Sequence, residues 1–359
     1  MRVLHVINHL EYGGAERLLF NFILHAKEHY PQLEMEVCVL LKEGSLGNQL
    51  RQKGIIVHNL NVEKWNFVQA IYRLYKIIKR GRYDIIHVHL FPPLYYVRLT
   101  RLLLGYPTYV FTEHSTSNRR RKNSLLRFVE HFIYRGYDAI VANSSETKQS
   151  LCFWLPKLEG KIFVIENGVP KPQTQKLCYQ LANPPLLLVI ARLTFDKGVD
   201  IAIDAVRILL NEGVPVRLTI VGDGTERQKL ENMARGLPIK FLGFQEATEA
   251  YMVNHDILII PSRREGFGLT AVEGLLVGIP IIAASVDFLK RNIKHRVHGL
   301  LFEPGNPKDL ADKIKEMLSS KELRTKLAQH GKRLAMEKWL IERFARETID
   351  LYEKLKRRI

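Results

Sequence analysis

The chain has 359 residues, 46% of them hydrophobic, and a formal net charge of +17. This length suits two domains better than one, and the hydrophobic content is ordinary for a globular protein. Three cysteines, far apart in the sequence, give neither a disulfide framework nor metal-ligand spacing, which favours a reducing compartment. No apolar run approaches the length of a membrane span, and residues 1–10 have too short an apolar core for a signal peptide.

The positive charge is shared by both halves of the chain. Residues 1–170 hold 23 Lys and Arg against 14 Asp and Glu, and residues 171–359 hold 31 against 23. Such an excess suits anionic lipid, an anionic substrate or simple solubility. Zinc-finger spacing, RNP-like aromatic motifs and heptads are absent from the sequence, so nucleic acid is the weakest of the binding options.

Strand and helix patterns alternate along the first half. Val3 to Ile7 is predicted to be a buried parallel strand, and a glycine-rich turn and an amphipathic helix to about His29 follow it. The other strands predicted in this half are 36–41, 55–59, 84–89, 108–112, 139–142 and 162–165, and the other helices are 67–80, 92–104 and 124–135. Repeated units of this kind predict a parallel, doubly wound sheet.

The turn after the first strand contains Gly13 and Gly14. A strand, a glycine-rich turn and a helix form a geometry that binds phosphate. The G-x-G-x-x-G spacing of a dinucleotide-binding turn is absent, and a plain tight turn would also explain the two glycines.

Two histidines end predicted strands of the first half. His89 and His114 lie at the sheet edge where ligand sites collect, and His87 shares a face with His89 because side chains alternate along a strand. A histidine at a strand end is more often a structural hydrogen-bonding residue than a catalyst. A third ligand at useful spacing is not apparent, so the sequence predicts no metal site.

The alternation restarts after a proline-rich, aperiodic tract at 171–185, which we interpret as a linker. The strands predicted in the second half are 186–191, 216–221, 239–242 and 257–260, and the helices are 199–211, one ending near 235, 246–254, 269–277, 307–318, 321–337 and 341–355. Arg192 and Lys197 follow the first of these strands. Two cations at a strand end are well placed to clamp a diphosphate, although a pair of solvated loop charges would have the same spacing.

The segment from Glu265 to Glu273 follows the apolar strand at 257–260 and opens a helix. Gly266 and Gly268 let the backbone approach a ligand closely, and a helix start suits an anion. Carboxylates would repel a diphosphate, but they accept hydrogen bonds from sugar hydroxyls. The segment therefore suggests a ligand with both a diphosphate and hydroxyl-rich rings, although a loop glutamate and a solvated helix glutamate would give the same spacing.

The pattern from Glu265 to Glu273, with Gly-Phe-Gly after the first glutamate, resembles the signature of the retaining nucleotide-sugar glycosyltransferases of the GT-B fold, family four (glycosyl transferases group 1). The other segments that resemble this family are Gly13-Gly14-Ala15-Glu16, Phe111-Thr112-Glu113-His114, Asn167-Gly168-Val169, Arg192 to Gly198 and Gly222-Asp223-Gly224. The resemblance covers nearly the whole chain. It loosens at residues 285–290, where the family usually has a Gly-Gly pair and an acidic residue.

The resemblance implies two doubly wound Rossmann-like domains whose parallel sheets face across a cleft. It assigns 1–170 to an acceptor-side domain and 186–340 to a donor-binding domain, with 341–359 crossing back to the first. The catalytic residues that it implies are His114, Arg192, Lys197 and Glu265. The donor-binding residues that it implies are Gly13, Gly14, Asp223, Phe244, Gly266, Phe267, Gly268, Leu269, Thr270 and Glu273.

The resemblance further implies transfer of a sugar from a UDP- or GDP-sugar to a glycan or lipid-linked acceptor, with no cofactor. No Asp-x-Asp occurs in the chain, so metal independence is expected. The basic run at residues 119–122 suggests peripheral contact with an anionic membrane at the cytoplasmic face, in cell-surface polysaccharide or glycolipid assembly; a solvated loop explains the run about as well. A sugar-nucleotide epimerase of the same fold and a non-catalytic basic membrane-surface binding protein are the rival interpretations.

Overall fold

The structure is a computed structural model, and it describes residues 1–62, 66–114, 121 and 126–357. The chain forms two compact units: residues 1–170 with the helix from Ile341 onward, and residues 171–340. The described strands are β1 (Arg2–His9), β2 (Glu34–Lys42), β3 (Val57–Asn59), β4 (Ile85–His89), β5 (Thr108–Glu113), β6 (Ala139–Ala142), β7 (Ile162–Val164), β8 (Leu186–Ile190), β9 (Arg217–Val221), β10 (Ile239–Phe241), β11 (Ile257–Ile260), β12 (Ile281–Ala284) and β13 (Leu300–Phe302).

Helices connect these strands. They are α1 (Gly14–His29), α2 (Gly44–Gln52), α3 (Phe67–Gly81), α4 (Pro93–Arg101), α5 (Leu126–Arg135), α6 (Ser145–Trp154), α7 (Val199–Asn211), α8 (Arg227–Met233), α9 (Glu249–Asn254), α10 (Leu269–Val277), α11 (Asp287–Asn292), α12 (Pro307–Ser319), α13 (Lys321–Lys338) and α14 (Ile341–Lys356). Side-chain caps begin several of them, since Asn66 accepts from Gln69 N at the start of α3 and Ser144 accepts from Thr147 N at the start of α6.

Each unit has one parallel sheet with the same order of its first six strands. The first sheet runs β3-β2-β1-β4-β5-β6-β7 and the second runs β10-β9-β8-β11-β12-β13. In both, the chain order reverses between the first strand and the fourth. Ligands of open α/β sheets bind in the crevice outside the carboxyl ends of the strands at this reversal, the switch point. The predicted fold class, two Rossmann-like units with parallel sheets, is confirmed.

Both faces of the first sheet are covered by helices. One buried cluster joins the sheet to α1, α2 and α14, and the other joins it to α3, α4, α5 and α6. Because both faces are buried, β4 and β5 have no exposed position along their whole length, which is the pattern expected of central parallel strands.

The last helix, α14, packs in the first unit. Ile341 N donates to Val169 O at 3.0 Å, and the ring of Phe344 meets Phe22 of α1 edge-on at 5.4 Å. The buried hydroxyl of Tyr352 bonds to His87 Nδ1 on β4. An apolar stripe of α14 therefore completes the core between α1 and the sheet.

Several predicted boundaries were wrong. The helices α2 and α6 were not predicted, because each is short and buries only two side chains. The helix predicted to reach residue 104 ends at Arg101. The first residues of the helix predicted at 124–135 lie outside the described part of the chain. Among the described helices, none is long and apolar enough to cross a bilayer.

Candidate active site

The switch point of the second unit is built from the loops that follow β8 and β11. These loops touch at Gly198, which adopts a φ of +62°, and a Cβ there would lie 2.1 Å from the carbonyl oxygen of Pro261. Only a glycine allows this approach of the two backbones. The contact brings the loop of Lys197 against the loop of Glu265.

Lys197 and Glu265 are joined by an ion pair. Lys197 Nζ donates to Glu265 Oε2 at 2.7 Å, and Ser262 Oγ donates to the same oxygen at 3.0 Å. The side chain of Lys197 is 27% exposed and that of Glu265 is 12% exposed. Lys197 and Glu265, which the family resemblance predicts to be catalytic, are thus in contact although they lie 68 residues apart in the sequence.

A second ion pair fixes the same two loops. Arg263 donates from both terminal nitrogens to the carboxylate of Asp200, at 2.8 and 2.6 Å, and its guanidinium lies 4.2 Å from the ring centroid of Phe195. Burial would raise the pKa of Asp200, but the hydrogen bonds from Arg263 hold it below its ordinary value. A bidentate pair of this geometry is directional, so it holds the Lys197 loop at a set distance from the Glu265 loop.

The segment in which the resemblance loosens also contacts this site. Asp287, at the start of α11, accepts a hydrogen bond from Glu265 N at 3.0 Å and adopts a φ of +38°. An acidic residue therefore does follow β12 in this chain, without the Gly-Gly pair. Asp287 thus holds the backbone of Glu265, while Lys197 holds its side chain.

The start of α10 has backbone donors and lacks a side-chain cap in the described structure. Gly268 is the N-cap residue, with a φ of +74°, and Leu269 and Thr270 form the first turn. Amides in a first turn have no partner within the helix and attract anions. Gly266 lies in the loop before this turn, and Glu273 is a partly exposed residue of the second turn.

Phe267, which the family resemblance assigns to donor binding, has a buried side chain. Its ring is 4% exposed and packs against Phe288 at a centroid distance of 4.4 Å, with Trp339 beyond. The buried ring anchors the turn by apolar packing, which leaves the backbone of Phe267 for contact with a ligand. The side chain of Phe267 thus stabilises the turn before α10 by packing.

The other predicted donor-side residues lie around the end of β9. Leu193 N, next to the exposed Arg192, donates to Asp223 O at 2.9 Å. The Asp223 carboxylate bonds to Gly224 N and to Arg227, and these bonds lower its pKa. Phe244, after β10, is 48% exposed. These residues surround the carboxyl ends of β8 and β9.

The switch point of the first unit contains Gly13 and Gly14 after β1 and His89 at the end of β4. Gly13 is the N-cap residue of α1 and Gly14 its first residue, with no side-chain cap. A Cβ on Gly13 would meet the carboxylate of Glu16 at 2.1 Å. The residue thus leaves room for Glu16 to fold back over the start of its own helix.

Histidines form a chain at this end of the first sheet, in which His5, His87 and His89 are buried and His114 is partly exposed. His5 Nδ1 lies 3.1 Å from His89 Nε2, and His89 Nδ1 lies 3.4 Å from His114 Nε2. Burial lowers the pKa of His5 to about 3 and that of His114 to about 4. It also lowers the pKa of His87 and His89, which are close to the other rings. The four imidazoles are therefore neutral at pH 7.

The sequence argument against a metal was wrong in one premise. Register pairing places His5 of β1 opposite His87 of β4, so a third imidazole does meet His87 and His89, with ligand atoms within 4.8 Å of one another. Both ring nitrogens of His87 already bond to Tyr352 and Thr112. The described contacts are those of a hydrogen-bonded cluster.

Of the basic run at 119–122, the structure describes Arg121, and Arg119, Arg120 and Lys122 lie outside the described residues. Arg121 Nη2 donates to Glu113 Oε2 at 2.7 Å, with both side chains 8% exposed. Tyr134 donates to the same oxygen at 2.8 Å. This cation is thus engaged inside the first unit.

Four contributors to the two sites were missed from the sequence: Ser262, the Arg263–Asp200 pair, Asp287 and His5. Asp287 could have been found, because an acidic residue after this strand is part of the family pattern. The Arg263–Asp200 pair and His5 depend on contacts between segments distant in sequence. Ser262 lies three residues before Glu265, but a loop serine alone carries no such signal.

Comparisons with known proteins cover both units. The profile described as Glycosyl transferases group 1 matches residues 180–334, and that described as Glycosyltransferase Family 4 matches residues 12–171. The chain is 31% identical over 315 residues to the uncharacterized glycosyltransferase MJ1178 of Methanocaldococcus jannaschii, covering 84% of this chain and 86% of that protein. It is 26% identical over 299 residues to the O-antigen biosynthesis glycosyltransferase WclY of Escherichia coli, covering 77% and 81%.

A solved structure shares the fold. The crystal structure of HepE from Anabaena in complex with UDP and glucose superposes with a TM-score of 0.84, covering 99% of this chain and 100% of that one at 20% identity. At 20% sequence identity, this similarity establishes only that the two proteins share a fold.

Proposed function

Because this chain belongs to the glycosyl transferases group 1 family, we propose that it transfers a sugar from a nucleoside diphosphate donor to an acceptor hydroxyl with retention of the anomeric configuration. The observation that carries the proposal is the Lys197–Glu265 ion pair at the second switch point. It puts a cation for a diphosphate beside a carboxylate for sugar hydroxyls, at the sheet edge where a nucleotide would bind.

The difficult step is departure of the diphosphate from the anomeric carbon. Negative charge develops on the leaving group, and preorganised donors stabilise it. In our proposal Lys197 and Arg192 supply the cations, and the amides of Leu269 and Thr270 supply backbone donors. An ammonium has three donors, so Lys197 can hold Glu265 and a phosphate oxygen together.

Glu265 is proposed to hold the donor sugar. Lys197 and Ser262 both donate to Oε2 of Glu265, and the second carboxylate oxygen, Oε1, is the acceptor that we assign to sugar hydroxyls. Its backbone is fixed by Asp287 and its loop by Arg263. A carboxylate held in this way orients a sugar without free rotation.

The remaining predicted residues have positioning roles in the proposal. Glu273 accepts from the ribose hydroxyls, and the backbone around Asp223 and Phe244 contacts the nucleotide. In the first unit, the α1 start at Gly13 and Gly14 contacts donor phosphate and sugar. His114 contacts the donor sugar as a neutral imidazole, because burial lowers its pKa to about 4.

Retention is proposed to arise from attack on the face that the diphosphate leaves. The departing phosphate oxygen takes the proton of the acceptor hydroxyl, so no side chain acts as a covalent nucleophile. The product configuration, read by NMR of the isolated glycoside, tests this step. An inverted anomer would contradict it.

Metal independence is also proposed, since the sequence has no Asp-x-Asp to hold a metal–diphosphate complex. The cations Arg192 and Lys197 would take the place of the metal charge. Unchanged activity in a chelator supports this; strict dependence on Mn²⁺ contradicts it.

The acceptor is proposed to be a glycan or a lipid-linked glycan of the cell surface, and the donor a UDP- or GDP-sugar. Support comes from the relative that assembles O-antigen and from the fold shared with a protein that binds UDP and glucose. O-antigen biosynthesis and UDP and glucose binding are properties of those two proteins, and for this chain they support a hypothesis.

A donor panel tests the proposal. Purified protein is incubated with UDP- and GDP-sugars, with and without cell-envelope lipid extract, and nucleoside diphosphate release is measured. We expect one donor to be consumed faster with extract, and Glu265→Gln to abolish the increase. Conversion of a donor to its epimer without acceptor would indicate an epimerase. Binding without turnover of any donor would indicate a non-catalytic protein.

A further inference from the structure

The positive charge of the first unit is concentrated in one part of the sequence. Residues 66–135 contain 13 Lys and Arg and 3 Asp and Glu, a net charge of +10. The rest of residues 1–170 contains 10 against 11. Over half of the net charge of the whole chain, +17, therefore belongs to the segment from α3 to α5.

These helices lie side by side on one face of the first sheet. They share one buried cluster with α6 on their inner side. Arg98 of α4 donates to Phe132 O of α5 at 3.4 Å, and Arg127 of α5 donates to Trp154 O of α6 at 2.7 Å. The outer surfaces of α3 to α6 thus form one layer, which we call the helical face.

The helical face exposes large apolar side chains. On α5, three outward positions carry Phe128, Val129 and Phe132, which are 82%, 49% and 50% exposed. The other large exposed apolar residues on α3 and α6 are Phe67 (56%), Val68 (65%), Tyr72 (56%) and Phe153 (87%), and Leu102 (58%), Leu103 (64%) and Tyr106 (46%) lie in the segment that follows α4. Isolated exposed side chains are normal, whereas a group of this size on one layer marks an interaction surface.

Cations flank these apolar side chains. Lys76 Nζ lies 4.2 Å from the ring centroid of Tyr72, and the Arg98 guanidinium lies 4.6 Å from that of Phe132. Lys76, Lys79 and Arg80 are exposed on α3. Mixed basic and aromatic side chains of this kind are typical of surfaces that contact lipid headgroups.

The acidic residues of the segment do not offset this charge at the surface. Asp84 bonds to Arg2 N and pairs with Lys356. Glu130 is fully buried and accepts from Tyr95 and Trp154, and Glu113 pairs with the buried Arg121. All three carboxylates are therefore occupied within the unit.

We propose that the helical face docks on a bilayer surface that contains anionic lipid. Charge complementarity selects this occupant. A second copy would present the same excess of cations and repel the first, whereas an anionic bilayer attracts lysine and arginine near its surface. Phenylalanine and leucine side chains at the outermost positions enter the headgroup boundary, where their apolar area leaves water.

This inference does not require that the proposed transferase activity be correct. It concerns a surface of the first unit, and none of its residues is assigned to donor binding or catalysis. Vesicle binding by Glu265→Gln, which is expected to lack transfer, separates failure of one proposal from failure of the other.

The experiment is co-sedimentation of the full chain with vesicles of phosphatidylcholine alone and with one third phosphatidylglycerol. We expect binding to the anionic vesicles that weakens as salt is raised. The charge variant Lys76→Gln/Lys79→Gln/Arg80→Gln and the apolar variant Phe128→Ser/Phe132→Ser should each weaken binding at least about tenfold. Thermal unfolding of each variant checks that it folds.

Matched controls have the same changes elsewhere. Arg217→Gln/Arg235→Gln/Lys240→Gln removes three exposed cations of the second unit, and Ile56→Ser/Leu177→Ser removes two exposed apolar side chains. Both should bind as the unchanged protein does, within about twofold. Failure of the unchanged protein to bind anionic vesicles, or equal loss in control and test variants, would overturn the proposal.

The same variants and vesicles would also reveal two other binding partners of the helical face. A concentration-dependent dimer that Phe128→Ser/Phe132→Ser abolishes would assign the helical face to a second copy. Binding to single-stranded DNA at physiological salt, together with no binding to anionic vesicles, would assign it to nucleic acid. Either result contradicts docking on lipid.

Discussion

The two switch points occupy the same place in two sheets of the same strand order, yet the side chains at one are charged and those at the other are neutral. In the second unit the loops hold ion pairs, Lys197 with Glu265 and Arg263 with Asp200. In the first unit the corresponding strands end in imidazoles that burial keeps neutral. One topology thus provides a charged site and an uncharged one.

The difference follows from where the side chains project. His5, His87 and His89 lie within strands that are buried on both faces, so charging them is unfavourable. Lys197 and Glu265 lie in loops beyond the strand ends and keep partial contact with water. In the proposed function, the second unit therefore binds the charged part of the donor, and the first unit supplies neutral hydrogen bonds.

The largest effect is expected when the charged site loses its cation. Lys197→Ala should lower kcat by about 100- to 1000-fold, because one preorganised donor is removed from the developing diphosphate charge. Steady-state assays with the donor found by the panel measure this. The exposed Lys240→Ala is the control, and a loss below about threefold in Lys197→Ala would remove Lys197 from the mechanism.

Glycines at the two switch points should respond differently to a methyl group. Gly198→Ala forces a left-handed φ and a contact of 2.1 Å with a backbone oxygen, and should cost about 1–3 kcal/mol of unfolding free energy. Gly13→Ala has a φ of −122° and meets only the Glu16 carboxylate, which can rotate, so a change within about 0.5 kcal/mol is expected. Urea unfolding of both measures it; equal losses would contradict the contrast.

A smaller effect is expected from the pair that fixes the charged loops. Arg263→Lys keeps the charge but loses the two-pronged contact with Asp200, and should lower kcat/KM about tenfold. Asp200→Asn should act similarly, and the double variant should add little beyond either change. Fully additive losses would show that the two residues act separately.

The last effect concerns the pH dependence of stability at the neutral site. The folded pKa of His5 is about 3 against an ordinary 6.5, so the unfolded chain takes up a proton first as the pH falls. Stability should therefore decline from about pH 6.5 towards pH 3. His5→Leu should reduce that slope by about one proton, read from urea midpoints at several pH values. An unaltered slope in His5→Leu would contradict the burial argument.

Much of the fold could be predicted because apolar runs and glycines mark strand ends directly. The strand at Ile257–Ile260 and the helices at Val199–Asn211 and Leu269–Val277 have their predicted limits. The loop residues that follow these strands were found for the same reason. Strand ends meet at one edge of a parallel sheet, so a strand assignment already places the loop residues.

The parts that could not be predicted are contacts between segments far apart in sequence. Arg263 and Asp200 are separated by 63 residues, and each alone is an ordinary loop or helix charge. His5 joins the other histidines only because β1 pairs with β4, which requires the strand order. The burial of Phe267 depends on Trp339 at the end of α13, a partner that the local pattern does not indicate.

The return of α14 to the first unit has a consequence for biosynthesis. A ribosome emits residues 171–340 before it emits this helix, so the groove of α1 that receives Phe344, and the His87 nitrogen that receives Tyr352, stay open while the second unit is translated. The first unit is therefore translated first but completed last. A nascent chain stalled before α14 would expose apolar surface to chaperones.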